Sequence, residues 1–222
     1  MTDQEPLFRD RRDAGEALAK RLEAHRGTHA LVLGLPRGGV PVAAQVARAL
    51  DADLDIVVSR KLGSPVSAEL AFGAVTANGG RFLNEDVLRM LNVSEEYVTA
   101  VTETQQAEAR RRETLFRGSR PAPVVAGRTV ILVDDGLATG ATMRAAVRSV
   151  RQQQPQRVVV AVPVGSPEAC AALRGEADEV VCLYEPRHFG AVGCYYEDFT
   201  QTQDSDVQTL LDELAVGGGR HR

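Results

Sequence analysis

The sequence predicts an α/β protein: a parallel twisted sheet flanked by helices, with a hairpin-plus-helix hood inserted in it. Three observations carry this. A strand–turn–helix–strand run lies between Ala30 and Val58. The same rhythm resumes from Thr129 to Leu183. Between them, at about 62–128, the pattern changes to a hairpin and long helical stretches. Alternating β and α segments imply parallel strands with right-handed crossovers. The 222 residues are read as a single domain over 1–216 with a disordered tail at 217–222. A chain this long buries about 70% of its unfolded surface and needs no disulfide or metal staple. With no Trp and only 5% aromatic residues, its core must be aliphatic.

Asp13 to His25 carries Ala14, Ala17, Leu18 and Leu22 at helical spacing and reads as an amphipathic helix. Ala30-Leu31-Val32-Leu33 is a buried strand, Pro36-Arg37-Gly38-Gly39 a turn, and Val40 to Leu50 a helix that tolerates Pro41 in its first turn. Leu54 to Val58 is the second strand. Gly63 to Ser67 reads as an exposed loop, and Phe72–Thr76 with Arg81–Leu83 as a hairpin around Asn78-Gly79-Gly80. Asn84–Leu91 and Ser94–Phe116 are helical, with Ser94 as N-cap. A Pro-containing linker spans 118–127. Then follow strand Thr129–Val133, helix Thr142–Gln153, strand Arg157–Val162, helix Pro167–Arg174, strand Glu179–Leu183 and a terminal helix over Asp204–Leu214.

Charge and cysteines narrow the function class. A net charge of −4 argues against a nucleic-acid partner, which a basic face would recruit. Arg110-Arg111-Arg112 reads as a solvated helix face. Cys170, Cys182 and Cys194 fit neither a zinc nor a dithiol motif, and their odd number points to reduced thiols. No run approaches the ~20 apolar residues of a membrane span, and the first residues lack an apolar signal region. The expected setting is cytoplasmic, and a homodimer is left open. Neither a GxSxG elbow nor an HExxH motif occurs, so hydrolytic readings lack a nucleophile or a metal.

The segment from Val130 to Thr142 carries the chemistry. An apolar strand runs into Asp134 and Asp135, then a small-residue loop, then a helix. The loop Ala138-Thr139-Gly140-Ala141-Thr142 can aim backbone N–H groups at one point where a helix N-terminus favours an anion. Thr139 and Thr142 add hydroxyl donors. The two carboxylates would repel a phosphate, so they must serve another part of the ligand: ribose hydroxyls, or Mg²⁺ held directly or through water. Phosphate donors beside sugar acceptors imply a phosphorylated ribose. An Asp-rich helix cap would explain one of these carboxylates but not the whole pattern.

This stretch resembles the signature of the type I phosphoribosyltransferase family, closest to its adenine-type and uncharacterised bacterial members. The resemblance covers about Ala30 to Leu183. It implies 5-phosphoribosyl-1-pyrophosphate (PRPP) as donor, Mg²⁺ as cofactor and a small-molecule nitrogenous acceptor. Hypoxanthine-type members carry an Asp where this chain has Ala138, which counts against a 6-oxopurine. By the same resemblance, the Arg37-Gly38-Gly39 loop binds pyrophosphate, and Arg60-Lys61 opens a mobile loop, with Lys61 stabilising charge on the leaving group. The alternatives are a plain strand–helix turn and a solvated pair at a strand end. The loop from Tyr184 to Phe199 would cover the acceptor, with Phe189 or Tyr195 stacking on it; the alternative is a loop pinned down by its aromatics. Glu69 is either an acid near the site or a surface carboxylate.

The expected catalytic set is therefore Lys61, Arg37, Asp134 and Asp135, with Arg60, Gly38, Gly39 and residues 138–142 binding the donor. The rival expectation is a non-catalytic PRPP or nucleotide sensor on the same fold. The 28 or so residues before the first strand are too few for an added DNA-binding module.

Overall fold

The computed structural model describes residues 6–67 and 70–217. Glu69 and the tail beyond Gly217 lie outside the described residues. In chain order the elements are α1 (Arg11–Arg21), β1 (Leu31–Gly34), α2 (Gly39–Leu50), β2 (Asp53–Ile56), β3 (Ser59–Gly63), β4 (Ala71–Thr76), β5 (Arg81–Leu83), α3 (Glu85–Met90), α4 (Glu95–Arg117), β6 (Thr129–Val133), α5 (Ala141–Arg151), β7 (Arg157–Val164), α6 (Pro167–Arg174), β8 (Glu179–Tyr184) and α7 (Asp204–Gly217).

Apolar runs place the central sheet. A strand buried on both faces reads as continuous Val, Ile and Leu, which is the mark of a parallel sheet covered by helices. Residues 158–162 of β7 and 130–133 of β6 are wholly buried. Five strands pair in the order β2-β1-β6-β7-β8, all parallel. Strand alternation divides the core in two. Leu31, Leu33, Val130, Leu132, Val158 and Val160 face Met143, Val147 and Val150 of α5 and Leu173 of α6. Val32, Ile131, Val133 and Val159 face Leu18 and Leu22 near α1 and Val42, Val46 and Leu50 of α2. Each such side chain contributes about 1.5–3 kcal/mol on burial.

Caps set the helix ends. The Asp10 side chain accepts the Asp13 N–H at 2.8 Å, so α1 begins two residues earlier than its apolar periodicity indicates. Ser94 caps α4 by accepting the Tyr97 N–H at 3.2 Å. Ser166 caps α6, with Pro167 in the first turn. The terminal helix runs to Gly217, beyond the expected end at Leu214.

The inserted region differs from the expected hairpin. Ser59–Gly63 is a strand, so the second sheet has three strands in the order β3-β4-β5, all antiparallel. The sheet begins at Ser59. Within β3 only Leu62 is buried. The hood sits on the N-terminal half of α5: Ala74 and Phe82 pack with Ala141 and Ala145. The Arg144 guanidinium lies 3.9 Å from the Phe82 ring centroid. At the other end of the insert, Arg117 of α4 meets Asp55 of β2 at 3.3 Å and also pairs with Glu113. Arg111 and Arg112 both bond Glu108, while Arg110 bonds the Ala77 carbonyl, so each of the three guanidinium groups is engaged by a neighbour within the insert. Among the described residues, no helix is long and apolar enough to cross a membrane.

Candidate functional site

The strand order reverses once. β1 leads through α2 to β2 on one side, and β6 leads through α5 to β7 on the other. Connections that diverge from neighbouring strands open a crevice at their carboxyl ends, where open α/β sheets bind ligands. β1 and β6 end level, with Gly34 opposite Val133. The loops that leave them, 35–39 and 134–140, meet there, joined by the Leu35 N–H donating to the Val133 carbonyl at 2.9 Å.

The first loop packs directly on the two carboxylates. The Pro36–Arg37 peptide is cis. A Cβ at Gly38 would overlap the Asp135 carboxylate. One at Gly39 would lie 2.7 Å from the Val133 carbonyl oxygen and 2.8 Å from Asp134 Cα. Only glycine allows this approach. Gly38 and Gly39 are thus brought together with Asp134 and Asp135.

Asp134 and Asp135 are held in a half-buried position. The Asp135 N–H donates to Asp134 Oδ1 at 2.9 Å. Arg11 Nε donates to Asp135 Oδ2 at 2.8 Å, and Arg11 Nη1 to the Thr200 carbonyl at 2.8 Å. The same guanidinium lies 3.9 Å from the Phe199 ring centroid. The Tyr196 hydroxyl donates to the Asp135 carbonyl at 2.6 Å. Burial, then the neighbouring Asp135 charge, push the Asp134 carboxyl well above the usual carboxylate range. Burial also raises Asp135, opposed by Arg11. Burial pushes the Tyr196 hydroxyl up, so it stays a proton donor.

The second loop is anchored from below. The Leu137 N–H donates to the Val164 carbonyl at 2.9 Å, and the Ser166 N–H to the Leu137 carbonyl at 2.8 Å. Ser166 Oγ donates to the Ala138 carbonyl at 2.7 Å. Gly140, at φ +76°, is the N-cap of α5, and no side chain caps that helix. The N–H groups of a helix's first turn have no intrahelical acceptor, so this end suits an anion. Ala138 and Thr139 are exposed, Thr142 is half-buried, and Gly140 and Ala141 are buried.

The expected cations lie around this crevice in different settings. Arg37 Nη1 is 3.4 Å from Asp204 Oδ1 at the start of α7. Arg60 Nε donates to Gln105 Oε1 at 3.1 Å. Arg60 and Lys61 belong to strand β3 instead of opening a loop, because the chain pairs antiparallel with β4, Lys61 opposite Ala74. Lys61 is exposed and lines a cleft of ≈ 590 Å³ together with Arg60, Tyr97, Gln105 and Thr142 of the second loop.

The aromatic expectation needs correcting at one residue. Tyr195 is only 1% exposed, and its ring packs against Phe189 (5.7 Å, 27°) and Tyr184 (6.0 Å, 60°). Its faces are taken by protein, so it offers none to an acceptor. Phe189 is half-buried and keeps some exposure. Arg11 was absent from the sequence reading, and Tyr196 and Phe199 entered it only as members of the 184–199 loop, with no role of their own. The one available signal was Arg11 beside Arg12 at a helix N-terminus, where cations oppose the dipole and so ask for another partner.

A family profile described as the phosphoribosyl transferase domain matches residues 9–198. In two strains of Mycobacterium tuberculosis, proteins provisionally named phosphoribosyl transferases are 49% identical over 206 residues, which is 93% of this chain and 46% of theirs. The chain therefore spans about half the length of these curated relatives. The crystal structure of TT1426 from Thermus thermophilus is 47% identical, covers 93% of this chain and 98% of its own, and superposes with a TM-score of 0.80. A Neisseria gonorrhoeae protein, 15% identical with a TM-score of 0.53 over 95% of this chain and 97% of its own, shares the fold.

Proposed function

This chain belongs to the phosphoribosyl transferase family, and from that membership we propose that it uses PRPP and Mg²⁺ to transfer a 5-phosphoribosyl group to a small nitrogenous acceptor. The C1′–O bond to pyrophosphate breaks, and pyrophosphate leaves with the bonding pair. The acceptor nitrogen's lone pair forms the new bond to C1′, and its proton passes to solvent. The observation that carries the reading is the contact between the Gly38–Gly39 turn and the Asp134–Asp135 pair. A turn suited to pyrophosphate, carboxylates suited to ribose hydroxyls and a helix N-terminus suited to a 5-phosphate surround one crevice.

Each residue then has a positioning or electrostatic role. Asp134 and Asp135 accept hydrogen bonds from the ribose hydroxyls. Residues 138–142 anchor the 5-phosphate. Arg37, Gly38 and Gly39 hold the pyrophosphate, and Lys61, with Arg60 behind it, neutralises charge growing on the leaving group. Phe189 borders the acceptor. Arg11 acts through Asp135 and is a positioning residue. The donor set also fits a divalent ion. Among the described residues Asp135 pairs with Arg11, whereas no cation forms an ion pair with Asp134, whose carboxyl is pushed up by burial and by the neighbouring Asp135 charge. Asp134 and Asp135 would hold Mg²⁺ directly or through water, and the ion when bound would neutralise charge on the pyrophosphate. The free cysteines accord with a cytoplasmic setting.

The test is pyrophosphate release from PRPP and Mg²⁺ with a panel of purines, pyrimidines and small nitrogen bases. Release with one acceptor supports transfer. PRPP binding without release for any acceptor would favour the sensor reading.

A further inference from the structure

Outside the crevice, three metal-binding side chains converge from separate elements. Cys170 is on α6, Cys182 is on β8, and Glu185 follows the end of β8. Their ligand atoms all lie within 4.8 Å of one another. Cys170 is fully buried; Cys182 and Glu185 are partly exposed. Gly165, at the end of β7, leaves the space they use: a Cβ there would be 2.6 Å from Cys170 Sγ and 3.3 Å from Cys182 Sγ.

We propose that Cys170, Cys182 and Glu185 form a binding site for a thiophilic divalent cation of the Zn²⁺ type. Sulfur and carboxylate ligands suit such an ion, and three protein ligands leave a fourth position to solvent. Cys182 and Glu185 give that position an opening to water. Charge also balances. Arg174 pairs with Glu185 Oε1, which leaves the other carboxylate oxygen for the metal. Two thiolates, a carboxylate, a guanidinium and a divalent ion carry no net charge, the condition under which a partly buried cluster is tolerated. Binding releases two thiol protons to solvent and changes no oxidation state.

The position gives the ion a structural consequence. Glu185 opens the 184–199 loop, which carries Tyr196 to the Asp135 carbonyl. Gly165 precedes Ser166, which holds the Ala138 carbonyl of the anion loop. A bound cation ties α6 to β8 beneath both loops.

The test is titration of the reduced full-length protein with Co²⁺, a spectroscopic stand-in for Zn²⁺. The proposal expects a thiolate-to-cobalt charge-transfer band that saturates at one equivalent per chain and is displaced by Zn²⁺. C182S should abolish the band, and E185Q should weaken Co²⁺ binding by on the order of tenfold. Because Cys170 is fully buried, C182S and E185Q carry the test should C170S fail to fold. The Asp134→Asn/Asp135→Asn variant should keep the band, which separates this site from the crevice. No band in the wild type, a band that survives C182S, E185Q binding at full strength, or formation of a Cys170–Cys182 disulfide in place of metal uptake would each overturn the proposal.

Discussion

Arg11 and Asp135, 124 positions apart, are joined by a 2.8 Å contact from Nε to Oδ2, with both side chains largely buried. The contact fixes one carboxylate of the site from the N-terminal helix. Arg11→Ala removes a charge-assisted hydrogen bond of about 1.5–3 kcal/mol. PRPP affinity by calorimetry should fall by about tenfold or more while far-UV circular dichroism is unchanged. Arg11→Lys should recover little, because an ammonium cannot bridge Asp135 and the Thr200 carbonyl in one plane. Wild-type affinity in Arg11→Ala would remove Arg11 from the site.

Asp134 predicts a pH dependence of stability with a definite sign. Its folded pKa lies above the unfolded value of about 3.9. Such a carboxyl stabilises the fold fully below the unfolded pKa, and that contribution is lost as pH rises through the folded pKa. Asp134→Asn keeps the uncharged form at every pH. Its Tm should match the wild type near pH 4 and exceed it at neutral pH, by about 2–4 °C for each kcal/mol relieved. PRPP binding should weaken in the same variant. A wild type more stable than Asp134→Asn at pH 7 would contradict the account.

The two adjacent glycines should fail differently. At Gly39 a methyl meets backbone, the Val133 carbonyl oxygen and Asp134 Cα, which cannot move aside. Gly39→Ala should cost about 1–3 kcal/mol of stability, visible as a lower midpoint in urea. At Gly38 the methyl meets the end of the Asp135 side chain. Gly38→Ala should displace that carboxylate from Arg11, lowering PRPP affinity and costing about the 1.5–3 kcal/mol of that charge-assisted contact.

The hood is tied to the core sheet by Arg117 between Asp55 and Glu113. Burial raises the Asp55 carboxyl even with Arg117 beside it. Arg117→Ala leaves these acids without their cation and should destabilise the protein by about 3–5 kcal/mol. Asp55→Asn added to Arg117→Ala should recover part of that loss in a denaturation cycle. Equal stability of the two variants would show that Asp55 is not the group left exposed to the deficit.

These residues also show what the sequence makes legible. The parallel strands could be read because burial on both faces forces apolar runs such as Val158–Val162. Helix α6 could be read end to end because Ser166, Pro167 and Gly175 bracket it. The crevice was visible as the Asp134–Thr142 pattern and the Arg37-Gly38-Gly39 turn, since local spacing encodes each. Strand β3 was not visible: it buries only Leu62, so no alternation marks it. Arg11 was missed because its partner comes from a distant segment and the apolar periodicity of its helix starts only at Asp13. For Tyr195 the resemblance suggested stacking on an acceptor and the aromatics themselves suggested a pinned loop; the sequence does not say which way a ring points, and this one packs inward.

Calorimetry of PRPP with Mg²⁺ against the wild type and the Asp134→Asn/Asp135→Asn double variant decides whether the paired carboxylates hold the donor. The wild type should show one binding site per chain, and the variant should lose donor binding. Unchanged affinity in the double variant would contradict that role.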